Sequence, residues 1–202
     1  MFFEPKNASR DHLKSLGLSH NPFIALVAPR PIGWISTISK DGVVNLAPFS
    51  FFNAVSSRPP MVFFAANGSH LFAGGEKDSL ANVRDTGQFV CNLVTWNLRQ
   101  QMNDSSADAP REVDEFEAVG LTKLPSRIVK PPRVAGSPIQ FECVYLNTLR
   151  FPGNGPMGSA DVVFGRVVGI HIDDAALSAE GLVDVLKIQP IAIQAGIVTI
   201  QA

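Results

Sequence analysis

Short apolar runs separated by glycine, proline and Asp-Gly punctuation fill the chain from Arg30 to Val94, and they leave little choice but antiparallel β-structure. The block opens RPIGWISTISKDGVVNLAPFSFFNAVSSRPPMVFFAANGS and closes KDSLANVRDTGQFVCNLV. In IGWISTIS, Ile32, Trp34, Ser36 and Ile38 fall on one side of an extended chain, and Gly33, Ile35 and Thr37 on the other. Lys40-Asp41-Gly42 is a tight-hairpin signal, and VVNLA returns along it. FSFFNAVS follows, with Phe49, Phe51, Asn53 and Val55 on one face and Ser50, Phe52 and Ala54 on the other. Pro59-Pro60 breaks the chain before the next strand, MVFFAAN.

Outside this block, FIALVA (23–28) reads as a buried strand or the approach to one. Asp78 to Thr86 reads as a short helix, with Asp78 as N-cap and Gly87 at the left-handed C′ position. Residues 96–120 are polar and helical in part, anchored by Leu98, Met102, Phe116 and Val119. The proline-rich stretch 123–138 is an extended, ordered connection. Two long strands, QFECVYLNTLRF (140–151) and DVVFGRVVGIHI (161–172), complete the core around a Gly- and Pro-rich hairpin loop. The apolar tail 182–202 either pairs as an edge strand or crosses to a partner. The fold expected is mainly β, an antiparallel barrel with a few helical insertions, in one domain over residues 1–202.

Composition narrows the function classes. A formal net charge of -1 leaves no electrostatic footprint for DNA or RNA. No apolar run reaches the roughly 18 to 20 residues of a membrane helix, and MFFEPKNASRDHLKS lacks the apolar core of a signal peptide. Cys91 and Cys143 sit in apolar strand patterns and read as buried free thiols, in keeping with a reducing cytoplasm. The 14 Phe against one Tyr point to a filled β-core, an apolar dimer face, or both. No Gly-x-Gly-x-x-Gly, Walker or zinc-ligand spacing occurs, and no Ser-His-Asp set or carboxylate pair suggests hydrolysis. We nominate no metal ligand and no catalytic side chain.

What remains is polar residues at strand ends and at one helix start. Asn67-Gly68-Ser69 and Lys77-Asp78-Ser79 could hold a small anion through backbone amides, hydroxyls and the lysine. They equally suit a solvated strand end and an ordinary helix cap, and the Asp78 charge opposes an anion unless it is already engaged. Ser50 and Asn53 need partners that either a ligand or neighbouring backbone can supply. Trp34 and His171 suit structural roles, and Arg30 suits a salt bridge.

The block RPIGWISTISKDGVVNLAPFSFFNAVSSRPPMVFF resembles the opening of the flavin reductase-like family of the FMN-binding split-barrel superfamily. KDSLANVRDTGQFVCNLV, GLTKLPSRIVKPPRVAGSPIQFECVYLNTL and VVFGRVVGIHIDD resemble its later blocks, so the likeness covers residues 20–175, with 176–202 as an extension. It implies a Greek-key split β-barrel and a homodimer with FMN near the subunit interface. It also implies an NADH- or NADPH-dependent flavin reductase serving an acceptor or partner monooxygenase, or else an FMN electron carrier without its own NAD(P)H activity. On matching positions, Trp34, Pro48, Phe49, Ser50, Phe51 and Asn53 would flank the ring; Asn67, Ser69, Lys77, Asp78 and Ser79 would surround ribityl chain and phosphate. Two departures stand out: SHLFAGGE lacks the arginine this family often carries near His70, and the chain ends IAIQAGIVTIQA instead of an Arg-Leu-Gly-Gly-like stretch to a tyrosine.

Overall fold

The computed structural model describes residues 1–202 except 8, 71, 73, 154–158, 195–196 and 201–202. Its strands are β1 (Arg30–Pro31), β2 (Gly33–Ile38), β3 (Val44–Phe49), β4 (Phe52–Ser57), β5 (Pro60–Asn67), β6 (Gln88–Asn92), β7 (Lys123–Leu124), β8 (Arg133–Val134), β9 (Ile139–Phe151), β10 (Ala160–Ile172), β11 (Ile191–Gln194) and β12 (Ile197–Ile200). The helices are short: α1 (Arg10–Ser15), α2 (Phe23–Leu26), α3 (Asp78–Thr86), α4 (Arg99–Asp104), α5 (Glu115–Ala118) and α6 (Val185–Ile188). A 7-stranded antiparallel sheet runs β3-β2-β6-β9-β10-β5-β4. Its two outermost strands, β3 and β4, are neighbours in sequence, separated only by Ser50 and Phe51. A sheet whose opposite edges meet through so short a link has to curl on itself, and the Phe51 carbonyl accepts a 2.8 Å hydrogen bond from the Ala65 amide at that seam.

This bend corrects the reading of FSFFNAVS as one alternating strand. Phe49 is buried in the barrel core, and Phe52 packs against the same core although it lies three positions on. Strict alternation would put them on opposite faces; the Ser50-Phe51 kink restores both to the inside. Arg30 fixes the kink. Its side chain is 5% exposed, donates to the Ser50 hydroxyl at 3.3 Å and to the Val27 and Ile24 carbonyls, and lies 5.8 Å from the Phe51 ring centre. Among the described residues it meets no carboxylate, so the salt-bridge expectation fails: carbonyl dipoles stabilise the cation instead.

The barrel interior holds Ile35, Phe64, Val83, Phe89 and Val163. A second core, built from Trp34, Leu46, Met102, Phe116 and Val134, packs on the other face of β2 and β3. Strand β2 is therefore buried on both sides, with its two polar side chains, Ser36 and Thr37, supplied with hydrogen-bond partners. Cys91 and Cys143 are free and buried, as expected from their strand context. The 23–28 run is not a buried strand. Its first four residues form α2, with the Asn21 side chain accepting from the Phe23 amide at 3.0 Å, and Phe23, Ile24 and Leu26 stay exposed. The tail does pair: β11 adds to β1 and β12 to β11 in a separate 3-stranded sheet. The hairpin loop between β9 and β10 falls largely outside the described residues.

The proline-rich connection is ordered by one buried carboxylate. Glu142 on β9 accepts from the Arg127, Ile128 and Val129 amides at 2.7, 2.6 and 2.9 Å and from the His171 ring. Burial pushes this carboxyl up, but those donors outweigh it and hold it at about 2. His171 is thereby structural, matching its strand setting.

Gly165 on β10 faces Phe89, whose ring is fully buried; a Cβ there would land inside the van der Waals envelope of Phe89 Cζ. Gly165→Ala is expected to destabilise the protein by about 1–3 kcal/mol through overpacking. Chemical denaturation measures this, and an unchanged midpoint would show that the ring gives way freely.

Candidate functional site

One cleft draws together residues from four elements: Asn45, Ala47, Pro48 and Phe49 of β3, Lys77, Asp78 and Ser79 at the start of α3, the segment 105–109, and Glu115 of α5. His70 completes the lining, and the space measures about 550 Å³ counted out to its open mouth. Five of the residues nominated from sequence meet here: Pro48, Phe49, Lys77, Asp78 and Ser79.

The others lie elsewhere. Ser50 and Phe51 form the kink beside Arg30. Asn53 is exposed on β4 with its side chain accepting from the Ala54 amide at 2.8 Å, while Asn67 is exposed as the last residue of β5 and Ser69 is exposed just beyond it. Trp34 is fully buried in the second core. Its indole Nε1 donates to the Ser105 hydroxyl at 2.9 Å, so it braces the 105–109 wall of the cleft from behind.

The floor is a buried polar network. Asn45 donates to Ser79 Oγ at 2.8 Å and approaches Thr37 Oγ1 at 3.4 Å, while Asn82 donates to the same Thr37 at 3.1 Å. These side chains tie the start of α3 to β2 and β3, and among the described residues no buried side-chain polar atom lacks a partner. The helix begins one position earlier than expected: Lys77 is the N-cap residue, without a side-chain cap, and Asp78 is the first helical residue. Asp78 is drawn away from capping by its neighbours. Its Oδ2 lies 3.0 Å from His70 Nε2, and its Oδ1 accepts from Arg111, which also donates to the Glu76 carbonyl at 2.8 Å. Gly87 ends the helix in the left-handed region as expected, with φ of 74°.

The carboxylate that opposed an anion at this helix start is therefore engaged on both oxygens. Lys77 carries no carboxylate partner among the described residues; the Leu80 amide already meets the Lys77 carbonyl at 3.0 Å, which leaves the Asp78 and Ser79 amides at the open end of the helix without an intrahelical acceptor. The cleft thus pairs an electropositive corner with an apolar wall of Pro48 and Phe49, a donor set suited to a flat ligand with a phosphate. Beside β3, Glu115 Oε2 accepts the Leu46 amide at 2.9 Å. Burial chiefly, with the Asp78 and Asp114 charges adding, raises its carboxyl to about 7 against the pull of the Leu46 amide and its own.

A family model described as "Flavin reductase like domain" matches residues 26–186. The chain belongs to that family. An uncharacterized protein of Aquifex aeolicus is 39% identical over 168 residues, covering 83% of this chain and 82% of its own length. Among solved structures, nitrilotriacetate monooxygenase component B from Bacillus cereus superposes with a TM-score of 0.86 at 25% identity, covering 100% of this chain and 96% of that one. The 2-nitrobenzoate 2-nitroreductase of Pseudomonas fluorescens gives 0.80 at 26% identity, covering 99% and 91%. Membership of the flavin reductase-like family, with the split-barrel fold, supports a flavin-related redox function.

Sequence reasoning overlooked Asn45, His70, Arg111 and Glu115. Asn45 carried a signal, as an amide inside the apolar run VVNLA that a buried strand cannot leave unpartnered. Arg111 carried none: it is far from Asp78 in sequence, yet it reaches the same 74–78 segment whose own arginine is missing. Among the described residues no helix is long and apolar enough to cross a membrane, and no His/Cys/Asp/Glu group is arranged to hold a metal.

Asn45→Ala removes the donor to Ser79 and is expected to lower stability by about 1–3 kcal/mol. Urea unfolding at an unchanged m-value is the measurement; a loss below about 0.5 kcal/mol would show that the network does not hold α3 in place.

Proposed function

We propose that this protein is an FMN-binding oxidoreductase that accepts a hydride from NADH or NADPH and passes the electrons to free flavin, oxygen or a partner oxygenase. The observation that carries the reading is the engagement of Asp78 by His70 and Arg111, which leaves Lys77 and the first two α3 amides, those of Asp78 and Ser79, to meet a phosphate at the edge of the cleft. Pro48 and Phe49, with Asn45 and Ala47, form the wall against which an aromatic ring would lie, and Ser79 offers a hydroxyl held by Asn45. Bound FMN would supply the hydride-accepting chemistry; the side chains bind, orient and limit access by water. No strong acid or base is required of them.

Likeness to a monooxygenase component supports an oxygenase as one acceptor. Large apolar side chains left exposed on β9 and β10, among them Leu149, Phe151, Ile170 and Ile172, support assembly with a second copy of the chain.

The deciding experiment is an anaerobic visible spectrum of FMN-reconstituted protein before and after NADH, then NADPH. Loss of the oxidised-flavin band at about 450 nm is expected with one donor or both. A bound flavin that stays yellow with both would overturn the reductase in favour of an electron carrier, and absence of FMN binding would overturn both. Lys77→Ala is expected to weaken FMN binding about tenfold at low salt and less at high salt, read by flavin fluorescence. Unchanged affinity would remove Lys77 from the site.

A further inference from the structure

Two carboxyls line the cleft from α3 and α5, Asp78 and Glu115, and a third, Asp114, precedes Glu115 in the chain; they are not equivalent. Asp78, at the start of α3, is matched by Arg111 and His70. Asp114, the N-cap of α5, accepts from the Phe116 amide at 2.9 Å and is matched by Lys123, which also reaches Glu117 at 3.1 Å. Glu115 has no cation partner among the described residues. Its Oε2 accepts the Leu46 amide, and among the described residues no side-chain donor reaches the carboxyl. Of the remaining charged groups on the cleft, Lys77 stands at the α3 corner and Asp108 on the exposed 105–109 segment.

An unmatched carboxyl that feels two nearby carboxylates is most stable with a proton, and burial acts in the same sense. A protonated carboxyl also has an O–H to donate. With Oε2 already accepting from β3, that donor is available to whatever occupies the cleft. We propose that Glu115 is a specificity-determining residue that holds a proton and donates it as a hydrogen bond to a neutral acceptor, such as a ring carbonyl, on the ligand in this cleft. The inference rests on the FMN reading above and deepens it: ligand binding and proton occupancy at Glu115 are linked. The sign follows from the free carboxyl titrating at about 7. Binding the protonated form raises that value further, so affinity is full below it and falls as the pH rises through it.

The test is FMN titration by flavin fluorescence from about pH 5.5 to 8.5, with wild type beside Glu115→Gln. Glutamine keeps an acceptor for the Leu46 amide and a neutral donor but cannot ionise. Both proteins share any titration of the phosphate or of His70, so their difference isolates Glu115. Relative to the variant, wild-type Kd is expected to stay level below pH 7 and to rise about tenfold per unit above it. Calorimetry in two buffers of different ionisation enthalpy, at about pH 8 where the phosphate is already a dianion, should show wild type taking up close to one proton on binding. If Glu115→Gln fails to fold, this wild-type uptake decides alone. Parallel Kd curves, or no proton uptake, would overturn the role of Glu115 while leaving the FMN reading intact. Failure of wild type to bind FMN at any pH would overturn both.

Discussion

The Ser50-Phe51 kink is the joint on which the architecture turns. It carries the chain from one edge of the seven-stranded sheet to the other, so curvature is imposed by connectivity and needs no special packing to explain it. The same joint ends β3 at Phe49, and β3 is the strand that supplies the cleft with its apolar wall. Arg30 meets the kink at the Ser50 hydroxyl and the Phe51 ring while the Ile24 and Val27 carbonyls hold its other end, and β1, to which Arg30 belongs, is itself paired by β11 near the end of the chain. Barrel closure, cleft wall and C-terminal sheet are thus mechanically connected through one buried guanidinium.

Electrostatics then differentiates the cleft. Both walls carry acids, yet cations from elsewhere in the chain neutralise them selectively. Arg111 arrives from a turn and Lys123 from β7 to match Asp78 and Asp114, which leaves a positive corner at Lys77 and, among the described residues, a carboxyl without a cation at Glu115. The polarity of the site therefore depends less on the residues that line it than on which of them are already spoken for.

Much of this was legible in the sequence, for local reasons. Period-two alternation located β2, the Asp-Gly signal its hairpin with β3, and the long apolar runs β9 and β10. Asp78–Thr86 emerged with its C-terminal glycine correctly placed. The misses are of a different kind. FIALVA has the composition of a strand yet begins as a short helix, and FSFFNAVS hides a kink because phenylalanines occupy both sides of it. The engagement of Asp78 depends on a guanidinium brought across by the fold, which no local pattern encodes. Of the nominated site residues, those on β3 and α3 converge, whereas Ser50, Phe51, Asn53, Asn67 and Ser69 lie off the cleft, since similarity of sequence blocks does not specify which side chain turns inward.

Trp34 shows how such a site can drift without being touched. Its indole lies wholly within the second core, yet its single polar atom holds Ser105 and, through it, one wall of the cleft. Core identity and cleft width are therefore inherited together. A lineage that exchanged this tryptophan for another large apolar side chain would keep its packing and lose the tether, reshaping what the cleft accepts from a position buried behind its wall.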